Sequence, residues 1–494
     1  MKKIFGTFLI SCLILSLQAQ NQDDIFRYSR NGISGSARTS GLAGAWGAVG
    51  ADASAAALNP AGFGLYRRNE IMGAISVTST QTNTSFLGNN ISDGRTMINI
   101  PNIGLVFTWL DNYKGRDQRN GLVSATYAFG VNRLQDFQSN VQYSGNNMNT
   151  NVGNYFALKA NGKDSTNFFS SDLDNELYAQ AWRLVLIDNA SSPNHYKSRQ
   201  DLNGDLQYTV RQSQSIQTRG RINEWYAGGG LNFSNIIYLG ASLVLKDVKY
   251  TSENVYNEDL LTTSLANKTY QSVKVGQSLK TTGTGVGGKF GLIIRPVDFI
   301  KIGIAYHTPV RLNLTDNYQN SISITNNNGK TFEQPGRLDY YKYQIVTPAS
   351  LNLNAAITLG KLAVFAVDFE TVNYSSGRLQ SVDKFGDFSK ANTNNAIVYG
   401  RASNIKGGVE FALNEYRFRA GYGLLGSPFN DSKVDGSQQL ISGGFGWIFN
   451  KQLFFDLAVS DRIGKDYITA YEGNISAINT SHKLNFVFGG GYRF

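Results

Sequence analysis

The sequence is almost free of cysteine, since Cys12 is the only one in 494 residues. It lies within MKKIFGTFLISCLILSLQAQ, where two lysines precede an apolar run and a small residue follows. This pattern is typical of a secretory signal peptide, so we predict a signal peptide over residues 1–19 with cleavage after Ala19. The stretch LISC also resembles a lipoprotein signal, although the apolar run continues beyond Cys12. A mature chain without cysteine has no disulfide, no thiolate nucleophile and no cysteine metal ligand.

Long apolar runs and prolines are scarce too. The sequence has no run of about 18 apolar residues, which excludes helical membrane spans. It has only 8 prolines and no proline-rich linker, so we expect one domain despite the length. The formal net charge is +10, or +8 without Lys2 and Lys3. Because the basic residues are scattered rather than clustered, we expect no nucleic-acid partner.

Histidine is rare as well, and His195, His307 and His482 lie far apart in the chain. No pair has a spacing useful for haem ligands, and Ser481 beside His482 has no evident third catalytic partner. The glycine-rich GTGVGG stretch precedes a predicted strand rather than a helix, so it does not form a phosphate loop. We therefore predict no enzymatic activity, no cofactor and no metal site.

Glycine and aromatic residues are abundant instead, with 52 glycines, 26 tyrosines and 29 phenylalanines. In the C-terminal KLNFVFGGGYRF, Leu484, Phe486 and Phe488 alternate with Lys483 and Asn485. The segments IKIGIAYH, EYRFRAGYG and LAVFAVDFE alternate in the same way. Such a period of two predicts strands. In a membrane barrel the apolar face meets lipid and the polar or small face lines the lumen.

Fourteen segments have this character, an even number as bacterial single-chain barrels require. They lie near 71–80, 102–110, 121–131, 224–232, 236–246, 286–294, 300–308, 349–358, 362–371, 403–412, 415–424, 440–449, 452–460 and 483–494. The fold class predicted is therefore all-β, a 14-stranded antiparallel transmembrane β-barrel that occupies residues 71–494.

The links between the segments alternate in length. Those after even-numbered segments are short, such as FSN, RPVDF and LGK, whereas those after odd-numbered segments are longer. Outer-membrane barrels have short periplasmic turns and long outer loops. We therefore expect every long link outside the cell, including a long extracellular loop at about 132–223.

Residues 20–70 precede the first strand, and the barrel wall does not need them. Their stretch GADASAAALNPAGFG, Gly50–Gly64, is rich in small side chains that let backbones approach closely. Asp52 is a plausible cap for a short helix over residues 53–58, and Asn59-Pro60 ends it. We interpret 20–70 as a hatch segment folded from tight turns inside the lumen.

The same stretch resembles the N-terminal hatch motif of the FadL-type outer-membrane transporters, which centres on Asn-Pro-Ala-Gly. FGLIIRPVDFIKIGIAYHTP, TPASLNLNAAITLGKLAVFAVDFETVNYSS and EYRFRAGYGLLGSPF are similar to further family segments, and Phe494 matches the terminal aromatic residue read by the barrel-assembly machinery. The resemblance implies a barrel with an internal hatch in the Gram-negative outer membrane. It also implies passive uptake of hydrophobic molecules such as long-chain fatty acids, with Asn59, Pro60, Gly62 and Phe63 as hatch and ligand-binding residues.

Two further sets of residues are candidates for ligand contact. Lys301, Arg417 and Arg419 are predicted to face the lumen, where a fatty-acid carboxylate needs a cation or donor; alternatively, they balance acidic lumen residues. In the long loop, Leu177, Trp182 and Val185 could mark an amphipathic helix, capped by Ser171 or Asp172, that walls an outer groove. The alternative is that this helix only packs on the barrel rim.

A second function also fits a barrel of this kind, namely an anchor or shuttle component of an outer-membrane protein-secretion system. The two functions predict different lumens. A transporter needs an apolar pocket that touches the hatch and a gap in the wall, whereas an anchor needs a sealed lumen and a large exposed loop patch.

Overall fold

A computed structural model describes residues 22–32, 35–110, 121–169, 176–190, 192–202, 209–261, 270–382 and 387–494. The predicted signal peptide at 1–19 and the predicted helix caps Ser171 and Asp172 lie outside the described residues.

Fourteen antiparallel strands form a closed barrel, which confirms the predicted fold class and strand number. They are β1 (Glu70–Phe86), β2 (Asn89–Leu110), β3 (Leu122–Asp136), β4 (Val210–Phe233), β5 (Ile237–Leu260), β6 (Ser272–Val297), β7 (Ile300–His307), β8 (Ser350–Leu359), β9 (Ala363–Asn373), β10 (Arg401–Leu413), β11 (Tyr416–Leu425), β12 (Gln438–Ile448), β13 (Leu453–Ile468) and β14 (Ala477–Arg493). Each strand pairs with the next in this order, and β14 pairs with β1 from Glu70↔Arg493 to Ser85↔Ile478.

The period of two separates two faces of the wall. On β5, Leu243 and Leu245 are exposed on the exterior, whereas Val244 and Lys246 are buried in the lumen. An apolar exterior is what a membrane barrel presents to lipid. Among the described residues, no helix is long and apolar enough to cross a membrane.

Short turns such as residues 298–299 and 414–415 join the strands at one end of the barrel, which we call the short-turn end. At the opposite, long-loop end, several strands extend far beyond the predicted segments. The prediction of a long loop after β1 is wrong, because the β1–β2 ladder continues to Phe86↔Asn89 and leaves only Leu87 and Gly88 between them. Residues 79–86 are mostly polar on both faces, so no apolar alternation marked this part as strand.

The N-terminal residues 22–32 and 35–69 belong to the hatch, which lies inside the barrel. It contains helices α1 (Gln22–Ser29), α2 (Ala37–Gly41) and α3 (Ala55–Leu58), followed by the 3-10 helix Pro60–Leu65. The Asp52 cap predicted for a helix over 53–58 is placed differently, because α3 begins only after Ser54 and Asp52 Oδ1 accepts from the Ser54 N–H. Asn59-Pro60 ends α3 as predicted and also begins the 3-10 helix, since Asn59 Oδ1 accepts from the Ala61 N–H.

The predicted loop at 132–223 is shorter than expected, because β3 and β4 both extend into it. Between them lie the strand Ser139–Asn147, α4 (Val152–Ala160), the 3-10 helix Ser165–Phe169, α5 (Leu177–Arg183), the strands Ile187–Asn189 and Tyr196–Ser198, and α6 (Arg199–Leu202). Phe156, Tyr178 and Tyr196 lie in the core of this region, together with Tyr256 and Tyr471 of the barrel end. The region therefore folds onto the long-loop end as a packed cap.

The remaining elements are not among the fourteen strands of the barrel. They are the strands Arg311–Thr325, Thr331–Pro335, Asp339–Val346 and Arg378–Ser381, the 3-10 helix Tyr374–Ser376 and α7 (Ser389–Val398). The strand Arg311–Thr325 pairs with β6 and continues the wall past the end of β7.

Candidate functional site

The hatch fits the wall through unusually close backbone contacts. A Cβ atom placed on Gly240 of β5 would lie 2.2 Å from the Pro60 carbonyl carbon, and one on Gly230 of β4 would lie 2.3 Å from the Gly64 nitrogen. Only glycine leaves room for such an approach. The small side chains of the hatch and the glycines of the wall are therefore two sides of one interface.

The predicted hatch residues Asn59, Pro60, Gly62 and Phe63 are all buried at this interface. The Asn59 Nδ2 group donates to Asn354 Oδ1 on β8 at 3.1 Å. The Phe63 ring has no exposed surface and stacks on Tyr226 with ring centroids 6.1 Å apart. These residues hold the hatch against the wall, and Phe63 does not line the cavity described below.

Ion pairs fasten the hatch as well. Arg38 Nε of α2 lies 3.1 Å from Asp456 Oδ2. The other carboxylate oxygen of Asp456, Oδ1, accepts from Arg419 Nη1 at 2.7 Å. Arg419 Nε also contacts Glu410 at 2.6 Å. Two carboxylates therefore share the charge of Arg419 in a buried network, in line with the alternative that it balances lumen acids. On β9, Asp368 accepts from the Gly47 N–H at 2.9 Å.

The other two predicted cations have local partners. Lys301 Nζ donates to the Val49 carbonyl of the hatch at 3.0 Å. Arg417 lies beside the β10–β11 turn and donates to the carbonyls of Asn414 and Tyr416, both at 2.8 Å. The structure thus does not bring Lys301, Arg417 and Arg419 together around one cavity.

A spacious lumen cavity with an apolar lining lies between α1 and the wall, on the long-loop side of the hatch. Its volume is about 370 Å³, within the usual range for small-molecule sites. Aromatic and aliphatic side chains form much of the lining, namely Phe26, Phe137, Val141, Ile216, Tyr250, Tyr399, Phe429, Tyr467 and Ile468. Such a lining suits an apolar molecule.

The same cavity carries more positive than negative side chains. The cations are Arg27, Arg30, Arg462, Lys465 and Lys483, and the acids are Asp23, Asp136 and Asp466. Arg462 of β13 and Lys483 of β14 lie directly opposite each other across the ladder. Within the described ranges neither has an ion-pair partner, and Lys483 Nζ donates to the Asp136 carbonyl at 2.7 Å. Two like charges side by side are a favourable place for an anion.

Sequence reasoning missed Arg462 and Lys483, although a signal was present. Lys483 had been placed on the polar face of the last strand, but β13 had been predicted to end near residue 460. Extending the β13–β14 hairpin pairs DRIGK with TSHKL and places the two cations together.

Asp23 of α1 is the acid of the hatch that faces this cavity. Burial raises its pKa to about 6, and a hydrogen bond of 2.8 Å from the Tyr399 hydroxyl opposes part of that rise. Nearby, Thr80 Oγ1, Asp136 Oδ2 and Gln138 Oε1 are buried without a hydrogen-bond partner in the described structure. Buried polar atoms of this kind are usually satisfied by water or a ligand.

Next to the cavity, the backbone ladder of the wall is interrupted. The β2–β3 pairing runs from Leu110↔Ser124 to Asn102↔Asn132 and stops there. Farther toward the long-loop end, β2 pairs only with β1, and the strand Ser139–Asn147 pairs only with β4. We call this interruption the wall break; among the described residues, no ladder crosses it.

The wall break connects to the cavity. A crevice at its inner side is lined by Pro101, Leu134 and Gln135, and also by Arg462 and Lys483 of the cavity. On the lumen side, the Gly32 N–H of the hatch donates to the Leu134 carbonyl at 2.6 Å. The hatch therefore covers the inner mouth of the break next to α1.

The predicted outer groove is largely occupied by its own packing. The helix containing Leu177 is α5, whose described part begins after Glu176. Leu177 is buried, and the Trp182 ring contacts Tyr196 at 5.3 Å between centroids, whereas Val185 is exposed. This favours the alternative in which the helix covers the barrel end.

The described part of the chain contains no group of three or more His, Cys, Asp and Glu side chains that could hold a metal ion. His307 lies between the Leu58 carbonyl and the Ser350 hydroxyl, at 2.9 and 3.1 Å, and so fastens the hatch to β8.

Comparison with known proteins identifies a family whose sequence profile matches this chain. The sequence profile described as outer membrane protein transport protein (OMPP1/FadL/TodX) matches residues 221–488. Among solved structures, a FadL homologue of Pseudomonas aeruginosa is similar with a TM-score of 0.57 and 14% identity, over 94% of this chain and 100% of that one.

Two further structures are similar at a lower score. The toluene transporter TodX of Pseudomonas putida matches with a TM-score of 0.50 and 13% identity, over 94% of this chain and 99% of that one. The CymD monoaromatic hydrocarbon channel matches with a TM-score of 0.50 and 12% identity, also over 94% and 99%. At these identities the likeness concerns the fold. No curated protein sequence matches the chain.

Proposed function

The chain belongs to the OMPP1/FadL/TodX family of outer membrane transport proteins, and on this premise we propose that it is a passive channel for hydrophobic molecules with an anionic end, such as long-chain fatty acids. The observation that carries the proposal is the cavity beside α1, which adjoins the wall break and combines an aromatic lining with Arg462 and Lys483, two cations that make no ion pair with any described residue.

The apolar lining meets the larger energetic need of such a ligand. Moving each methylene group out of water is favourable by about 0.8 kcal/mol. Phe137, Ile216 and Ile468 offer surface for an acyl chain. The charged end has the opposite need, because a carboxylate in an apolar site is costly without a donor. Arg462 and Lys483 supply that donor.

The proposed route starts at the long-loop end, passes through the cavity and leaves through the wall break. The Gly32–Leu134 hydrogen bond covers the inner mouth of the break, so a small shift of residues 30–32 is the step that opens it. Concentration and capture on the far side drive the movement, and the route needs no energy source.

Small neutral hydrocarbons are the second candidate ligands, because the solved relatives include a toluene transporter and a monoaromatic hydrocarbon channel. A neutral ring would not use the charges of Arg462 and Lys483, and this favours an anionic amphiphile. The alternative of a secretion anchor or shuttle is supported less well. An anchor needs a sealed lumen, whereas the ladder of this barrel is interrupted at the wall break.

Uptake by whole cells tests the proposal. The full chain is produced in a Gram-negative host without its own fatty-acid channel, and entry of radiolabelled palmitate and toluene is measured. We expect saturable palmitate uptake above the empty-vector level, and lower uptake in the Arg462→Gln, Lys483→Gln double variant. The matched control is Arg417→Gln, which removes a cation from a turn and should transport normally.

Two results would contradict the proposal. Uptake of toluene alone would assign the channel to neutral hydrocarbons. Uptake of neither compound, with normal surface levels and a changed set of secreted proteins in a deletion strain of the native organism, would favour the anchor.

A further inference from the structure

A group of basic side chains lies on the exterior of the barrel, on the side opposite to the lumen cations. Arg219 and Arg221 of β4, Lys249 of β5 and Lys280 of β6 all point outward near the long-loop end. We call these four residues the basic patch. They belong to neither the hatch nor the cavity.

The strand register brings the patch together. Arg221 lies directly opposite Lys249, and Thr251 lies opposite both Arg219 and Lys280. Neighbouring strands are about 4.8 Å apart, and diagonal side chains about 7–8 Å. Four positive charges therefore occupy two adjacent rows on three strands.

Like charges directly opposite each other destabilise a sheet unless something compensates them. In the described part of the chain, none of the four residues makes an ion pair with a carboxylate, although Arg211 higher on β4 is paired with Asp259. Among the described residues, Arg221 Nε is buried without a hydrogen-bond partner. Asp136 of β3 lies directly opposite Arg221 on its other side, and Asp247 and Glu253 are the other outward acids of β5. With Arg133 of β3, which lies opposite Asn223, five cations in this region of the wall meet three acids and leave a surplus of positive charge.

The patch lies just beyond the apolar exterior. Trp225 and Leu245 form a cross-strand pair in that exterior and are 52% and 44% exposed. Arg221 precedes Trp225 by four residues and so lies about 13 Å farther along the strand toward the long-loop end. Aromatic side chains mark the membrane interface, so the patch lies at the depth of the lipid headgroups.

The opposite side of the barrel differs at the same end. The outward residues of β1 there are Gln81, Asn83 and Ser85, all uncharged and exposed. On β13 and β14, outward Asp461 is paired with His482 at 3.0 Å. Lys465, on the same face of β13 as Asp461, is a single exposed cation there, whereas the basic patch gathers four cations on one flank.

We propose that the basic patch binds the phosphate groups of the phosphorylated glycolipid of the outer leaflet. Arginine forms paired hydrogen bonds with phosphate, and clustered cations beside an apolar membrane surface favour anionic headgroups. Phosphate oxygens between Arg221 and Lys249 relieve their repulsion, while the acyl chains of the same molecule cover Trp225 and Leu245. This inference goes beyond the transport function and needs no occupied lumen.

The test is lipid binding by the purified full-length protein in detergent, followed by native mass spectrometry. The probes are diphosphoryl lipid A, its dephosphorylated form and phosphatidylglycerol. The patch variant is R221Q/K249Q/K280Q, and the matched control is K274Q/K330Q/K390Q, three exposed lysines elsewhere. Heat-modifiable gel mobility establishes that each variant is folded.

We expect the patch variant to bind diphosphoryl lipid A about tenfold or more weakly, with a smaller dependence on salt, while the control variant binds like the wild type. Dephosphorylated lipid should bind weakly to all three proteins. Equal binding by the patch variant and the wild type would overturn the inference. Phosphatidylglycerol that binds as tightly as diphosphoryl lipid A would overturn the assignment to the glycolipid.

Discussion

At the scale of single residues, the lumen cations differ in what they already contact. Arg419 is neutralised by Asp456 and Glu410, whereas Arg462 and Lys483 face each other and make no ion pair among the described residues. A charge that is already paired has little left to offer a ligand, because a second anion must compete with the first. The unpaired couple is therefore the part of the lumen suited to recognise an anion.

Arg462→Gln or Lys483→Gln is expected to weaken palmitate binding by about 1.5–3 kcal/mol, on the order of tenfold or more, since each removes one charge-assisted hydrogen bond. The measurement is a fluorescence competition titration in detergent. The methyl ester of palmitate serves as the uncharged control and should lose little affinity. Equal losses for acid and ester would mean that the substitutions act on packing and not on charge.

Asp23 is expected to make ligand binding depend on pH. Its folded pKa of about 6 exceeds the ordinary 3.8, so Asp23 gains a proton as the pH falls through 6. Below this value the cavity loses one negative charge. Between 3.8 and about 6 the folded chain holds a proton that an unfolded chain releases, so docking of α1 loses stability as the pH rises across that window.

An alkyl sulfonate, whose charge is constant, is therefore expected to bind more tightly at pH 5 than at pH 7.5. The Asp23→Asn variant should show a smaller difference in affinity between the two values. The affinities can be measured by isothermal titration calorimetry. A wild-type protein without pH dependence would show that Asp23 does not sense the bound anion.

At the scale of elements, the hatch has two kinds of aromatic contact. Phe63 is enclosed between hatch and wall against Tyr226, whereas Phe26 of α1 stacks on Tyr399 at 4.9 Å and lines the cavity. The first contact holds the hatch in place, and the second shapes the ligand site. Substitutions at the two positions should therefore have different effects.

Phe63→Ala should cost the hatch about 3–5 kcal/mol of packing and let bulky antibiotics leak in, with ligand affinity nearly unchanged. Phe26→Ala should leave the barrel tight and weaken palmitate binding by about 1.5–3 kcal/mol. Antibiotic susceptibility and titration of purified protein separate the two. The reverse pattern would mean that Phe63 contacts the ligand, as the sequence had suggested.

The wall break should be visible in hydrogen exchange. Amide groups of β2 that face the break lack a ladder partner there, whereas β5 is paired along both edges. Unpaired backbone groups open more easily. We expect faster exchange in residues 89–99 than in 248–258, which lie at a comparable height. Equal protection in both segments would indicate a sealed wall.

At the scale of the whole molecule, the sequence predicted the barrel, whereas the cavity that we propose as the ligand site could not be read from it. Alternation such as Leu243–Val244–Leu245 is imposed by lipid on one side and lumen on the other, so it is readable along the chain. The site depends on the pairing of Arg462 with Lys483 and on a ladder that stops at Asn102↔Asn132. The register of two strands and the point at which their pairing stops are properties of a strand pair. The alternation of residues along one strand carries no information about them.

The hatch, too, has features that its sequence predicts and contacts that only the folded barrel determines. The small residues of Gly50–Gly64 correctly suggested a tightly folded segment, because their size limits what they can pack against. Which wall atoms they meet, such as Asn354 with Asn59, depends on how the barrel closes around them. For Phe63 the sequence predicts contact with the ligand, with packing against the wall as the alternative, and the stacking of Phe63 on Tyr226 favours the alternative.

The central claim is that an anionic amphiphile occupies the cavity between α1 and the wall break. Photo-cross-linking tests it most directly, with a palmitate analogue that carries a diazirine at its methyl end, in outer-membrane vesicles that contain the full-length protein. Peptides are identified by mass spectrometry, and excess palmitate defines the specific labelling. We predict competed labels near Phe137, Ile216 and Ile468, and their loss in the R462Q/K483Q variant. Competed labels confined to the lipid-facing exterior, for example near Leu243 or Phe486, would contradict the account.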